Sequence, residues 1–227
     1  MAGTDDDRHF VVTGAGRCGT HWFQEVLQTH LGIPTGHEQV LAPWTDGAFL
    51  EWQGLRGDCA WPAVVYLRGE VPRSTPILHL VRDPLAMVRS RMGRNKLSDR
   101  FRVSAVRQFA FNVRPDIPRD AVDDFGRAIL MVSRWDRFCT DEIATLGFPQ
   151  LCVRIEEVST QPALFRAVVE FLVGQVVSLD ECRAILDRMS PDVGRHNRAP
   201  VEWADIHRHP NGHELVALAE SHGYPTS

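Results

Sequence analysis

Lysine is almost missing from this chain. Of its 25 basic residues, 24 are arginine and one, Lys96, is lysine. Chemistry that needs an ε-amine, such as a Schiff base or a lysine phosphate clamp, would have to run through Lys96. Cysteine is sparse as well. Cys18, Cys59, Cys139, Cys152 and Cys182 are odd in number and form no CxxC pair. That excludes a disulfide framework and a zinc knuckle, and makes a reducing, cytoplasmic setting the expectation. No apolar run approaches the ~20 residues of a membrane span, so no membrane association is expected. The stretch Met1–Asp7 is polar and acidic, unlike a signal peptide. A net charge of −4 argues against a protein that coats nucleic acid.

What remains fits an enzyme-sized globular chain. With 44% hydrophobic and 24% charged residues in 227, disorder is excluded and a sizeable core is affordable. The expectation is one domain over 1–227, with a polar tail over about 1–8. The positive charge is clustered: nine arginines and Lys96 lie between Arg82 and Arg119, against Asp83, Asp99 and Asp116. That density suits either a solvated helix face or a site for a multiply charged anion.

Apolar, β-branched runs predict buried strands at Phe10–Thr13, Ile77–Val81 and Gln150–Ile155. Helical patterns fall between them, at Thr20–Leu31, Pro84–Met92, about Ala121 to Leu146, Pro162–Leu172, Leu179–Met189 and His213–His222. Strands alternating with helices imply an α/β fold, a parallel sheet flanked by helices on both faces. In such sheets ligands bind beyond the C-terminal ends of the strands. The informative loops therefore start near Gly14 and Arg82.

The first loop, Gly14-Ala-Gly16-Arg17-Cys18-Gly19-Thr20-His21-Trp22, follows a strand and opens a helix. Glycines permit close backbone approach, and the helix start, Arg17 and Thr20 suit an anion. A nucleoside-triphosphate loop, GxxxxGK[ST], aligned on Gly14 and Gly19 puts Thr20 where lysine should be and His21 where the Mg²⁺ hydroxyl should be. The cradle is present and the metal-nucleotide ligands are missing. The second stretch, HLVRDPLAMVRS (79–90), ends a strand on Arg82 and starts a helix capped by Asp83 with Pro84 in its first turn. Arg82 there can grip a phosphate with its planar guanidinium. Ser90, two turns on, shares a face with Asp83 and Met87.

Together these loops resemble the nucleotide signatures of the sulfotransferase family, which uses 3′-phosphoadenosine-5′-phosphosulfate (PAPS). GAGRCGTHW (14–22) looks like that family's 5′-phosphosulfate loop, and Arg82 to Ser90 like its 3′-phosphate motif. VRIEEV (153–158), Pro162 and EFLVG (170–174), then Asn197-Arg198, Trp203 and His222-Gly-Tyr224, resemble its later segments. The resemblance implies a P-loop-like sulfotransferase-type fold and metal-independent, in-line sulfuryl transfer from PAPS as co-substrate. The acceptor would be a hydroxyl or amine of a small molecule or carbohydrate. By carry-over, Gly16, Arg17, Cys18, Gly19, Thr20, His21 and Trp22 surround the phosphosulfate, and Arg82 with Ser90 holds the 3′-phosphate. Many members carry lysine at the Arg17 position and a C-terminal RKGxxGxW-type segment that is absent here. Arg195 and Arg198 stand in its place as closing cations.

Gly36-His37-Glu38 resembles a segment whose glutamate is the general base in some bacterial and carbohydrate sulfotransferases. The catalytic candidates are therefore Glu38, then His37 and His21, with Arg17 as the electrostatic group. Trp44, Phe49, Trp52, Trp61 and Tyr66 form either core or an acceptor pocket. His207, His209 and His213 invite a metal reading, but Pro210 and Gly212 break a common helix face, and no metal is expected. The alternatives are a P-loop kinase or nucleotidase, and a non-catalytic nucleotide-binding module.

Overall fold

A computed structural model describes residues 9–39, 52, 54–69, 71–93, 113–114, 116–117, 123–189 and 199–227. Five parallel strands build one sheet in the order β2-β3-β1-β4-β5. They are β1 (Phe10–Thr13), β2 (Thr35–Gly36), β3 (Gly57–Cys59), β4 (Ile77–Val81) and β5 (Gln150–Arg154). β1 and β4 are buried at every position, so both faces of the sheet centre are covered. That burial explains why these strands read as unbroken apolar runs rather than alternating ones. β5 lies at an edge and is partly exposed.

The expected strands at 10–13 and 77–81 match β1 and β4, and Ile155 of the third opens a helix instead of ending β5. β2 and β3 were not legible, since two and three residues containing glycine and aspartate carry no periodicity. The helix expected over 20–31 is α1 (Thr20–Glu25), continued by a wider π-helical turn at Val26–His30. Two glutamines on this helical stretch fix the edge strand β2. Gln24 donates to the Thr35 carbonyl (3.2 Å), and Gln28 accepts from the Thr35 N–H (2.7 Å).

The remaining helices follow their punctuation. A short 3₁₀ helix, Trp61–Tyr66, follows β3. In α2 (Pro84–Met92) the Asp83 side chain accepts from the Leu85 N–H at 3.0 Å. The long α3 (Asp124–Leu146) starts at an Asp123 cap and stops at Gly147, whose φ of 69° suits a left-handed C-cap. After β5 come α4 (Ile155–Val158), α5 (Pro162–Val173), α6 (Leu179–Arg188), α7 (Trp203–Arg208) and α8 (Gly212–Ser221). The core is aromatic where α3 meets the 3₁₀ helix: Trp135 and Trp61 pack 4.7 Å apart between ring centroids. Trp61 therefore belongs to the core. Trp52 stacks on His9 at 4.2 Å, while Trp44 and Phe49 lie outside the described residues. Among the described residues no helix is long and apolar enough to cross a membrane.

Candidate functional site

Because all five strands run the same way, the segments that leave them emerge along one edge. The 14–19 loop leaves β1, His37 and Glu38 leave β2, Trp61 follows β3, and Arg82 follows β4. The sheet thus brings together four segments that are far apart in sequence.

The loop after β1 is built on close approach. A Cβ on Gly14 would stand 2.2 Å from the Leu80 carbonyl oxygen of β4, so only glycine lets the chain pass there. Gly19, at φ 114°, opens α1. Arg17 itself is left-handed, at φ 86°, a conformation that costs a non-glycine residue roughly 1–2 kcal/mol. Hydrogen bonds from the second motif hold it there. Arg82 Nη1 donates to the Arg17 carbonyl (3.0 Å), and Arg17 Nε donates to Ser90 Oγ (3.0 Å). The two motifs therefore meet side chain to backbone and side chain to side chain. Arg82 is directed at the loop, while Asp83 is engaged as a helix cap.

A third guanidinium, which the motifs do not single out, joins them. Arg91 Nη2 donates to the Gly16 carbonyl at 3.0 Å. With two successive loop carbonyls held by arginines, the planar trans peptides turn their N–H ends the opposite way. The Cys18 N–H is one of these, and it closes a tight turn onto the Ala15 carbonyl (2.9 Å).

The other loop residues divide by exposure. His21 is exposed. Thr20, Cys18 and Trp22 are buried, with Trp22 edge-on to Phe23 at 5.8 Å. The side chains of Cys18 and Trp22 thus serve the core. Burial and the nearby Asp136 carboxylate push the Cys18 thiol up to about 12, so it stays protonated.

His37 and Glu38 stand beside this loop. The His37 ring meets the His21 ring edge-on, with centroids 5.1 Å apart. His37 Nε2 lies 4.0 Å from Glu38 Oε1. If this segment were extended, the two side chains would face opposite ways; Glu38 instead has φ 55°, which turns them toward one another. The buried Asp58 on β3 steadies the turn by accepting from the Gln39 N–H at 3.2 Å. Desolvation, then the positive fields of His21 and Arg17, lower the His37 pKa to about 4. The imidazole is neutral at physiological pH, and its buried Nε2 has no hydrogen-bond partner.

Of the C-terminal cations, Arg195 and Arg198 lie outside the described residues. From Ala199 onward the chain is tied to α2: the Ala199 N–H donates to the Arg89 carbonyl, and Arg89 donates to the Val201 carbonyl and pairs with Glu202 at 2.7 Å. The three histidines considered for metal binding have separate partners: His207 faces the Thr226 carbonyl, His209 Asp123, and His213 the Pro210 carbonyl.

Sequence reasoning missed a buried charged network beneath the sheet edge. Asp136 of α3, 1% exposed, lies 2.7 Å from Nε2 of His222 and 3.4 Å from Nε2 of His79 on β4. The other nitrogen of His79 faces Cys152 Sγ at 3.9 Å. Burial opposes charge on both Asp136 and His79, but it is outweighed, for Asp136 by His222 and then His79, and for His79 by Asp136 and then Cys152. Asp136 is held down to about 2 and His79 lifted to about 9. A histidine inside an otherwise apolar strand was the available signal. No family model matches this chain, and no curated protein is significantly similar to it.

Proposed function

We propose that this protein is a PAPS-dependent sulfotransferase that moves a sulfuryl group to a hydroxyl or amine of a small-molecule or carbohydrate acceptor. The observation that carries the reading is the junction of its two motifs. Arg82 holds the Arg17 carbonyl and Arg17 holds Ser90, at the C-terminal ends of adjacent parallel strands. This supports one donor site served by both motifs, rich in guanidinium and glycine, with Thr20 and His21 where a triphosphate loop needs lysine and a metal hydroxyl.

In this mechanism Arg82 and Ser90 bind the 3′-phosphate, and the first loop holds the phosphosulfate. The bond from sulfur to the acceptor oxygen or nitrogen forms as the S–O bond to the nucleotide breaks in line. Arg17 and His21 stabilise the charge that develops on the departing oxygen. Glu38 takes the acceptor proton. Imidazole normally has the advantage as a base near neutral pH. Here the His37 pKa of about 4 removes that advantage, so Glu38 is the better candidate.

Calorimetry with 3′-phosphoadenosine-5′-phosphate against ATP·Mg²⁺ tests the donor assignment. The desulfated nucleotide binds in the presence of EDTA under this reading, while exclusive binding of ATP·Mg²⁺ supports a P-loop kinase instead. Glu38→Gln tests the base, since it keeps shape and removes basicity. Turnover of a hydroxyl acceptor disappears and nucleotide affinity is retained; near-normal kcat in that variant transfers the role to His37.

A further inference from the structure

The motifs give tasks to Arg17, Arg82 and Ser90 and none to Arg91. Arg91 nevertheless lies directly under the loop. Its Nη2 donates to the Gly16 carbonyl at 3.0 Å, and a Cβ on Gly16 would stand 2.8 Å from the same nitrogen. Its Nε is buried and has no hydrogen-bond partner. Other arginines of the chain are matched by acids: Arg68 by Glu142, Arg89 by Glu202 and Arg134 by Glu214, at 2.6–2.7 Å. Among the described residues no carboxylate pairs with Arg91.

Burial first, and then repulsion from Arg17, lower its pKa to about 10, and the group stays cationic at neutral pH. A buried charge without a counter-charge destabilises the fold that holds it. Such a charge under a glycine-rich loop is offset when an anion settles on the other side of that loop. The link is the Gly16–Arg17 peptide. A guanidinium on its carbonyl polarises the unit and strengthens the N–H at its opposite end as a donor.

We propose that Arg91 is a positioning and specificity-determining residue, the partly buried counter-charge that makes the loop prefer a tetrahedral dianion over a monoanion. The inference rests on reading the 14–19 loop as an anion site, and its test keeps the two claims apart. The probes are inorganic sulfate and nitrate at constant ionic strength, read by thermal shift and calorimetry. The variants are Arg91→Lys, which keeps the charge, and Arg91→Gln, which keeps an N–H donor and removes the charge.

The expected result is sulfate affinity within about threefold of wild type for the lysine variant and a loss of about tenfold or more for glutamine, the scale of one charge-assisted interaction. Nitrate affinity changes less, and the anion-free glutamine variant is at least as stable as wild type. Equal losses in both variants overturn the proposal by making hydrogen-bond shape the cause. Unchanged sulfate affinity in Arg91→Gln, or a glutamine variant that is destabilised or unfolded without anion, overturns it as well. A wild-type protein that sulfate does not stabilise refutes the anion-loop reading itself.

Discussion

Replacing Asp136 by asparagine separates the charge of the buried network from its shape. Asp136 is 1% exposed and stands between His79 and His222. Removing one partner of a buried ion pair costs about 3–5 kcal/mol. The pH dependence identifies the cause. In the wild type His79 titrates near 9 instead of 6.5. Its contribution is complete below about pH 6.5 and is lost as pH rises through 9; linkage makes the difference between pH 6 and pH 8 about 2 kcal/mol. Asp136, held near 2 by His222 and then His79, reports the His79 interaction in part from the other side. Its share is present above about pH 4 and lost as pH falls toward 2, and the two are not added. The other groups facing the network are His222 at the end of α8, Cys152 on β5, and the buried thiols of Cys18 and Cys139. The two thiols are raised by burial, so their effect starts near the free-thiol pKa and leaves the pH 6–8 window to histidine. His37, lowered to about 4, acts in the opposite sense and only below about 6.5. Urea unfolding at pH 6 and pH 8 is the assay. Because His37 returns about 1 kcal/mol over this range, wild type loses only about 1 kcal/mol between the two, while Asp136→Asn starts about 3–5 kcal/mol lower and gains stability toward pH 8. A variant within about 1 kcal/mol of wild type at pH 6, or one with the wild-type slope, refutes the ion-pair account.

Arg17→Ala lowers kcat by about 100-fold or more in a sulfuryl-transfer assay, the usual cost of one transition-state donor. An effect confined to KM for PAPS makes Arg17 a ground-state binder. Arg82→Ala weakens donor binding by about 1.5–3 kcal/mol and Ser90→Ala by less. Calorimetry with and without the 3′-phosphate checks this, since both losses shrink when that phosphate is absent. Gly14→Ala destabilises by about 3 kcal/mol or more, because its Cβ meets the Leu80 carbonyl at 2.2 Å. A midpoint within error of wild type in thermal unfolding contradicts that close approach.

The central strands and six of the eight α-helices were legible because their causes are local, whereas the short α4 and α7 were not expected. β1 and β4 are apolar runs, α2 carries its cap and proline in sequence, and α3 ends on a glycine that accepts φ 69°. β2 and β3 were not legible because pairing, of β3 with β1 and of β2 with β3, and not composition, makes them strands. The same holds within the site. Arg17, Arg82 and Ser90 carry motif signals. Arg91 is one more arginine in a cluster until the fold sets it on the Gly16 carbonyl. Asp58 and Asp136 look like ordinary surface acids in sequence, and both are buried. Tertiary pairing, which no short pattern encodes, decides each of these cases.

Arginine abundance and the near absence of lysine take on a physical sense at this loop. Arg17, Arg82 and Arg91 each donate to a specific loop or hydroxyl oxygen, at 3.0 Å in every case. A planar guanidinium can fix a carbonyl with one N–H and still present others, whereas an ammonium is a mobile point charge. The arginines therefore hold the backbone shape and supply the field together. Arg17 bears the cost of a left-handed backbone, and Arg82 and Ser90 hold it from the neighbouring strand and helix. The first loop and the Arg82–Ser90 segment are thus one mechanical unit. In the proposed enzyme, a change at Ser90 alters the position of Arg17, so Ser90→Ala reduces kcat as well as donor affinity. A Ser90→Ala enzyme with raised donor KM and unchanged kcat would show that the two motifs act independently.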